Sequence, residues 1–326
     1  MKRREFITFL GGATVTWPLA ARAQQQAAPV IGFIDATSLE KYAPFVAAFR
    51  SGLNAVGFVE GNNVTIEYRW AEGHYDRLPV LAADLIRLPV AVIAATGITA
   101  ARAAVAATAT IPIVFNTGGE PVKFGLVASL NRPGRNVTGV ASLGKTLVVK
   151  HCELIHELIP KADAIVFLVN PNNAVAALDT GDVQAAASAL GQKLIVVKAS
   201  TESDIDAAFA SVVERRASAL LMQLDPFFQS RQDQFVALAA RHNIPTISYW
   251  RDFAAAGGLM SYGTSLSDAL RLVGTYTGRI LKGEKASDLP VQESVKIEFV
   301  INLRTAKKLG LTVPLPLLGR ADEVIE

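Results

Sequence analysis

The sequence predicts an α/β protein of two similarly built lobes, each around a parallel sheet, joined by several crossovers that form a hinge. Three observations point there. From Val30 onward, short apolar, β-branched runs alternate with longer stretches of helical period, the pattern of βαβ units. The pattern restarts after residue 142. Finally, Ile111-Pro112-Ile113-Val114-Phe115 is echoed by Ile244-Pro245-Thr246-Ile247-Ser248. Each follows a helix and comes one unit after a buried strand ending on a polar residue, Thr96 in one half and Asp225 in the other.

The elements follow in order. Val30 to Ile34 is the first strand, and the helix after it carries Phe45, Val46, Phe49, Leu53 and Val56 on one face before stopping at Gly57. Val64 to Tyr68 is the next strand, then comes a helix through Leu78, Leu81, Leu85 and Leu88. Val90 to Ala95 is a continuous apolar run and so a strand buried on both faces. An Ala-rich helix leads to strands at Ile111 to Phe115 and Asn136 to Val140. The second half has a helix through Leu154, Ile155, Leu158 and Ile159 and strands at Ala164 to Val169, Lys193 to Val197 and Ala219 to Leu224. Thr201, with Asp204 three residues on, caps the helix between the last two.

The remaining section, Gly258 to Glu326, is too short for a third lobe. It offers a strand at Leu259 to Tyr262, a long helix at Leu266 to Leu281, a strand at Val295 to Ile301 and a helix at Leu303 to Leu309. These cross between the lobes and complete each. The first lobe is expected over 29–142, completed by about 262–292, and the second over 143–260, completed by about 293–326. Two lobes joined by several crossovers enclose a cleft.

Residues 1–23 read as an export signal: basic Lys2-Arg3-Arg4, an apolar stretch from Phe6 to about Ala20, and a small-residue exit at Ala21-Arg22-Ala23. Arg3-Arg4 followed by Phe6-Ile7 is similar to a twin-arginine signal, and a Sec signal has the same layout. The run is broken by Gly11-Gly12 and Pro18 and is too short for a membrane span. The formal net charge of +3 resides wholly in this segment, which leaves the body neutral. Charge therefore gives no support for a nucleic-acid partner. With a single cysteine, Cys152, no intramolecular disulfide can form, so stability rests on core burial.

Ligands of open α/β sheets bind beyond the carboxyl ends of the strands. In the first lobe those positions are Asp35, Thr37 and Ser38, then Thr96 and Gly97, then Asn116 and Thr117 with Gly118 and Gly119. In the second they are Asn170, Asp225, Phe227 and Phe228, Tyr249 and Trp250. The first set offers small neutral donors for a carboxylate, and the second adds a carboxylate for an ammonium and aromatic rings for a planar body. One of Phe227 and Phe228 is expected in the cleft. Asp225, before Pro226, is also suited to cap a helix. No G-x-G-x-x-G follows the first strand and no G-x-S-x-G elbow is present, so Rossmann-type dinucleotide binding and serine hydrolysis are disfavoured. His151, Cys152 and His156 match no metal-ligand spacing. No catalytic residue, metal site or cofactor is assigned.

Several blocks carry a resemblance: Arg3-Arg4-Glu5-Phe6-Ile7-Thr8, Tyr68-Arg69-Trp70-Ala71-Glu72-Gly73, Ser129-Leu130-Asn131-Arg132-Pro133-Gly134, Gly257-Gly258-Leu259-Met260-Ser261-Tyr262-Gly263, Ile280-Leu281-Lys282-Gly283-Glu284-Lys285 and Ala321-Asp322-Glu323-Val324-Ile325. In this order they resemble the ABC-transporter substrate-binding proteins of the type that includes tryptophan- and tyrosine-binding members. The resemblance implies two Rossmann-like lobes of the type I periplasmic-binding class, a periplasmic location and a non-enzymatic role. It also implies a small-molecule ligand delivered to an ABC transporter permease in the inner membrane. A monomer follows by analogy. Its pocket falls on Thr37, Ser38, Thr96, Gly97, Asn116, Thr117, Asp225 and Phe227. Asp35 stands where a small hydroxyl residue is usual, which favours a cationic group on the ligand. His151-Cys152 replaces what is commonly Arg-Leu, on a helix where it is expected to touch only packing. A ligand-sensing subunit of a signalling complex is the alternative, and an exported enzyme the weaker one.

Overall fold

The computed structural model describes residues 28–142 and 144–326. The export signal expected over residues 1–23 lies outside them. The first lobe begins with β1 (Val30–Asp35), α1 (Leu39–Ala55), β2 (Thr65–Trp70), α2 (Leu78–Ile86), β3 (Val90–Thr96), α3 (Ile98–Ala107), β4 (Ile113–Thr117) and β5 (Val137–Ser142). The second runs through α4 (Gly144–Leu158), β6 (Ala164–Val169), α5 (Ala176–Ala189), β7 (Lys193–Lys198), α6 (Glu202–Glu214) and β8 (Ala219–Met222). It continues through α7 (Pro226–Ser230), α8 (Gln232–His242), β9 (Thr246–Ser248), α9 (Arg251–Ala255) and β10 (Met260–Thr264). The chain then gives α10 (Leu266–Leu281) and β11 (Gln292–Ser294) to the first lobe. It returns for β12 (Ile297–Asn302), α11 (Leu303–Lys308), α12 (Leu315–Leu318) and β13 (Glu323–Ile325).

Two α/β sheets result. One is six-stranded and parallel throughout, in the order β11-β5-β4-β3-β1-β2. The other is seven-stranded, in the order β13-β12-β10-β9-β8-β6-β7. Its β10–β12 pair is antiparallel, unlike the wholly parallel sheet expected. The reason is topological. β10 leaves this sheet towards the other lobe, and β12 re-enters it from the same end, so the neighbours must run in opposite directions. The strand expected from Val295 to Ile301 accordingly begins at Ile297: Val295 and Lys296 cross between the lobes, β12 pairs with β10, and a separate short strand before them, β11, pairs with β5.

Local chemistry explains the element ends. At the end of α1, Gly57 takes φ +91°, and its N–H and that of Phe58 donate to Asn54 and Leu53 carbonyls. At the start of α6, the Thr201 hydroxyl accepts from Asp204 N–H while the Asp204 carboxylate accepts from Thr201 N–H, a reciprocal cap. Each sheet carries a hydrophobic cluster on both faces, as the continuous apolar strands require.

The return of the chain to the first lobe depends on a close helix crossing. α10 packs along α1, and a Cβ on Gly52 would fall 1.9 Å from the Arg271 carbonyl oxygen, one on Gly274 2.1 Å from that of Phe49. Both obstacles are backbone, so neither is relieved by a rotamer change. Gly52→Ala is expected to force α1 and α10 apart and to destabilise the protein by about 1–3 kcal/mol. Urea unfolding checks this, and an unchanged midpoint would show that the helices separate freely.

Candidate ligand-binding site

The carboxyl ends of the two sheets face each other. On the first lobe, Asp35 ends β1 with its side chain buried; one oxygen accepts from Thr37 N–H and Thr37 Oγ1, each at 2.5 Å, and the other from Thr96 Oγ1. Burial pushes the Asp35 carboxyl above the usual range, against these hydrogen bonds, and raises the Tyr42 hydroxyl beside it. Gly97, at φ +85°, opens α3 with no capping side chain, and its N–H donates to the Asn116 carbonyl at 2.8 Å.

On the second lobe, Asp225 caps α7 and is fully buried. Its oxygens accept from the Asn170 amide at 3.1 Å, Phe228 N–H at 3.2 Å, the Asn173 amide at 2.8 Å and the Tyr75 hydroxyl at 2.6 Å. Tyr75 belongs to the first lobe, so this hydrogen bond spans the cleft. Burial raises the Asp225 carboxyl above its usual value, opposed by those donors, Tyr75 first. A second layer adjoins it: Gln223 accepts from Asn170 N–H at 2.9 Å and donates to Asp179 at 2.8 Å. Burial pushes Asp179 up to about 6; Gln223 works against this, and the neighbouring charges of Asp182 and Asp225 add to it.

The lobes are in contact around this region. Lys41 pairs with Asp233 at 2.6 Å across the rim. A Cβ on Gly118 would come 2.4 Å from Leu224 Cδ2, and one on Gly97 3.6 Å from Pro226. Between them lies a cavity of about 100 Å3. Its described lining carries three carboxylates, of Asp35, Asp179 and Asp225, and no lysine, arginine or histidine side chain. Tyr249 and Trp250 supply aromatic surface, with Leu147, Leu224 and Leu266 as further apolar wall.

Of the residues expected from the sequence, Asp35, Gly97, Asn116, Gly118, Gly119, Asp225, Tyr249 and Trp250 line this cavity. Thr37, Ser38, Thr96, Thr117, Asn170 and Phe227 do not. Thr37 and Thr96 donate to Asp35, Asn170 donates to Asp225, and Thr117 Oγ1 accepts from Gly119 N–H at 3.0 Å. Ser38 precedes α1, its carbonyl accepting from Tyr42 N–H. Phe228 is buried against Phe235 in the second lobe's core, and Phe227 lies against Gly73 with the Arg231 guanidinium over its ring. Of the two phenylalanines it is thus Phe227 that reaches across to the first lobe, beside the cavity and outside its lining. Pro226 and Gln229, three residues apart on α7, occupy the cavity face, and the intervening rings turn away.

Sequence reasoning did not find Tyr42, Tyr75, Asn173, Asp179 or Gln229. Helical spacing from Pro226 pointed to Gln229, but nothing local marks Tyr75 as the partner of a residue 150 positions away. His151 also differs from expectation. Its buried ring lies 4.1 Å from Tyr249, so it supports a cavity wall as well as packing in α4. Among the described residues no helix is long and apolar enough to cross a membrane.

Comparison with known proteins agrees with this architecture. The curated tyrosine-binding protein of Clostridioides difficile (strain R20291) is 27% identical over 266 residues, 81% of this chain and 75% of that protein. A conserved domain protein from Vibrio cholerae O1 biovar El Tor superposes with a TM-score of 0.84 at 27% identity, covering 91% of this chain and 99% of that one. A domain from Streptococcus pneumoniae in complex with L-Trp gives 0.83 at 23% identity, covering 92% and 100%. A model of the ABC transporter substrate binding protein family matches residues 28–325, and the chain belongs to that family.

Proposed function

We propose that this protein is the exported solute-binding component of an ABC importer, closing its two lobes on an aromatic amino acid and handing it to a membrane permease. The observation that carries this is the cavity enclosed between the two sheets. It is acidic at three points, aromatic on one wall, and open at the uncapped N-terminus of α3. A zwitterion with a flat apolar body suits all three: its ammonium meets a carboxylate, its carboxylate meets helix N–H groups, and its ring meets Tyr249 or Trp250. The tyrosine-binding relative and the tryptophan-bound neighbour support the ligand class.

The lobes would rotate about the chain crossings after Ser142 and near residues 265 and 295–296, with Tyr75–Asp225 and Lys41–Asp233 forming as they close. Asp35, Gly97, Asn116, Asp225, Tyr249 and Trp250 would line the occupied site. Lys2-Arg3-Arg4 and the apolar run after it would direct export.

Thermal unfolding against L-tyrosine, L-tryptophan, other amino acids, nucleosides and sugars tests the reading. A ligand at 100 times its dissociation constant adds about 2.7 kcal/mol of stability and raises the midpoint by several degrees. A shift confined to sugars or nucleosides would overturn the ligand class. Absence of any shift, with no small molecule released on unfolding, would overturn the binding role.

A further inference from the structure

A closed cavity exposes which polar groups the protein itself leaves unanswered. Asn116 Oδ1, at the end of β4, and Gln229 Nε2, on α7, line this cavity from opposite lobes. Both residues are 7% exposed, and neither atom has a hydrogen-bond partner among the described residues. Buried amides left unpaired are uncommon because each forfeits the hydrogen bond water gave it. One of these atoms is an acceptor and the other a donor, so a ligand answering both must present a donor on one side and an acceptor on the other.

The three carboxylates differ in what they can still accept. An ionised carboxylate has about four lone-pair positions. Asp225 fills them with Tyr75, Asn170, Asn173 and Phe228 N–H. Asp35 accepts twice from Thr37 and once from Thr96, with the Tyr42 hydroxyl beside it. Asp179 accepts one bond among the described residues, from Gln223, and stands on the cavity wall. It lines the same cavity as Asn116. Gly119, three residues beyond Asn116, lies against Val175, its Cβ position 3.1 Å from Val175 Cγ1, and Val175 opens α5 one turn before Asp179.

We propose that the ligand is a primary amine whose ammonium is held by Asp179 and Asn116 Oδ1, with an acceptor group bound by Gln229 Nε2, while Asp225 secures closure and does not bind the ammonium. This rests on the reading of the cavity as the site for an aromatic amino acid and names the residues that recognise it. The α-ammonium and α-carboxylate of an amino acid satisfy the two demands together. The deaminated acid of the same ring satisfies only one.

Calorimetric titration of the purified protein with L-tyrosine and L-tryptophan, and with 3-(4-hydroxyphenyl)propionate and indole-3-propionate, separates the possibilities. The wild type is expected to favour each amino acid over its deaminated counterpart by about 100-fold, the effect of one buried charge pair. Asp179→Asn, nearly isosteric, should erase most of that preference. Asp225→Asn should weaken both compounds alike and keep it. Gln229→Leu should lower affinity for both about 10-fold, one neutral hydrogen bond, without changing the ratio. Unfolding midpoints taken alongside identify any variant that fails to fold. A preference that survives in Asp179→Asn, or disappears in Asp225→Asn, overturns the assignment. If the deaminated acids bind as well as the amino acids, the amine assignment falls while the aromatic site stands. If none of the four binds the wild type, the aromatic amino-acid reading falls and takes this assignment with it.

Discussion

Asp225→Ala is expected to lose about 3–5 kcal/mol of stability, the cost of breaking a buried, hydrogen-bonded charge. The carboxylate gathers four donors, three from two segments of its own lobe and one from the other. Its removal strands the amides of Asn170 and Asn173 and the N–H of Phe228 at the start of α7, all of them enclosed. Such a loss is a large part of the total for a protein of ordinary stability. Tyr75→Phe isolates the part that matters for closure, because it deletes only the bond across the cleft and leaves Asp225 with three donors. It should keep the unfolding free energy of the ligand-free protein within about 1 kcal/mol and weaken ligand binding about 10-fold. Urea unfolding and calorimetric titration read the two quantities separately. If Tyr75→Phe binds as tightly as the wild type, the bond across the cleft contributes nothing to closure; if Asp225→Ala is as stable as the wild type, the carboxylate is not the node of this cluster.

The difference between Asp225 and Tyr75 also marks what a single sequence reveals. Continuous apolar runs such as Val90 to Ala95 announce strands buried on both faces, and strand-end positions announce a site, because both are properties of a residue and its near neighbours. Eight of the fifteen strand-end residues expected from the sequence line the cavity. Thr37, Thr96, Thr117 and Asn170 stand one step behind it, holding Asp35, Asp225 or a loop in place. Orientation is what was missing. Phe227 and Gln229 share a short helix, and which of them meets the cavity depends on how α7 lies against the first lobe. α5 likewise escaped notice because its alanines and polar residues give it no sharply apolar face, yet it carries Asp179. The antiparallel β12 is a consequence of where the chain recrosses, which no local pattern records.

Replacing His151 is expected to change how the protein responds to acid by about 3 kcal/mol. Its Nε2 lies 2.6 Å from the Tyr262 carbonyl oxygen, which places the hydrogen there, and Nδ1 is buried with no partner among the described residues. A second proton would have to sit on that enclosed nitrogen. Burial accordingly pushes the imidazole down to about 4 from 6.5, with the Tyr262 carbonyl pulling weakly the other way. Between those values the unfolded chain binds a proton that the folded one refuses, so stability is full above pH 6.5 and is lost as pH falls towards 4. The 2.5-unit gap corresponds to about 3 kcal/mol. The buried carboxylates act with the opposite sign. Asp179, raised from 3.8 to about 6, leaves the folded state holding a proton the unfolded chain has released, so its penalty fades on acidification through that window. Since the two contributions overlap, the informative quantity is the difference between wild type and His151→Gln across pH 7 to 4. The wild type should lose about 3 kcal/mol more, and parallel curves would mean the ring takes up its proton while folded. Ligand affinity separates the two groups further. The folded protein keeps His151 neutral down to about pH 4, so the histidine leaves affinity flat in this range even though Tyr249 rests on it. Protonation of Asp179 near pH 6 removes the counter-ion assigned to the ammonium. A fall in affinity centred near pH 6 that persists in His151→Gln belongs to the carboxylate; one that vanishes with the histidine would place the proton on the ring, and overturn both the lowered imidazole and the role given to Asp179.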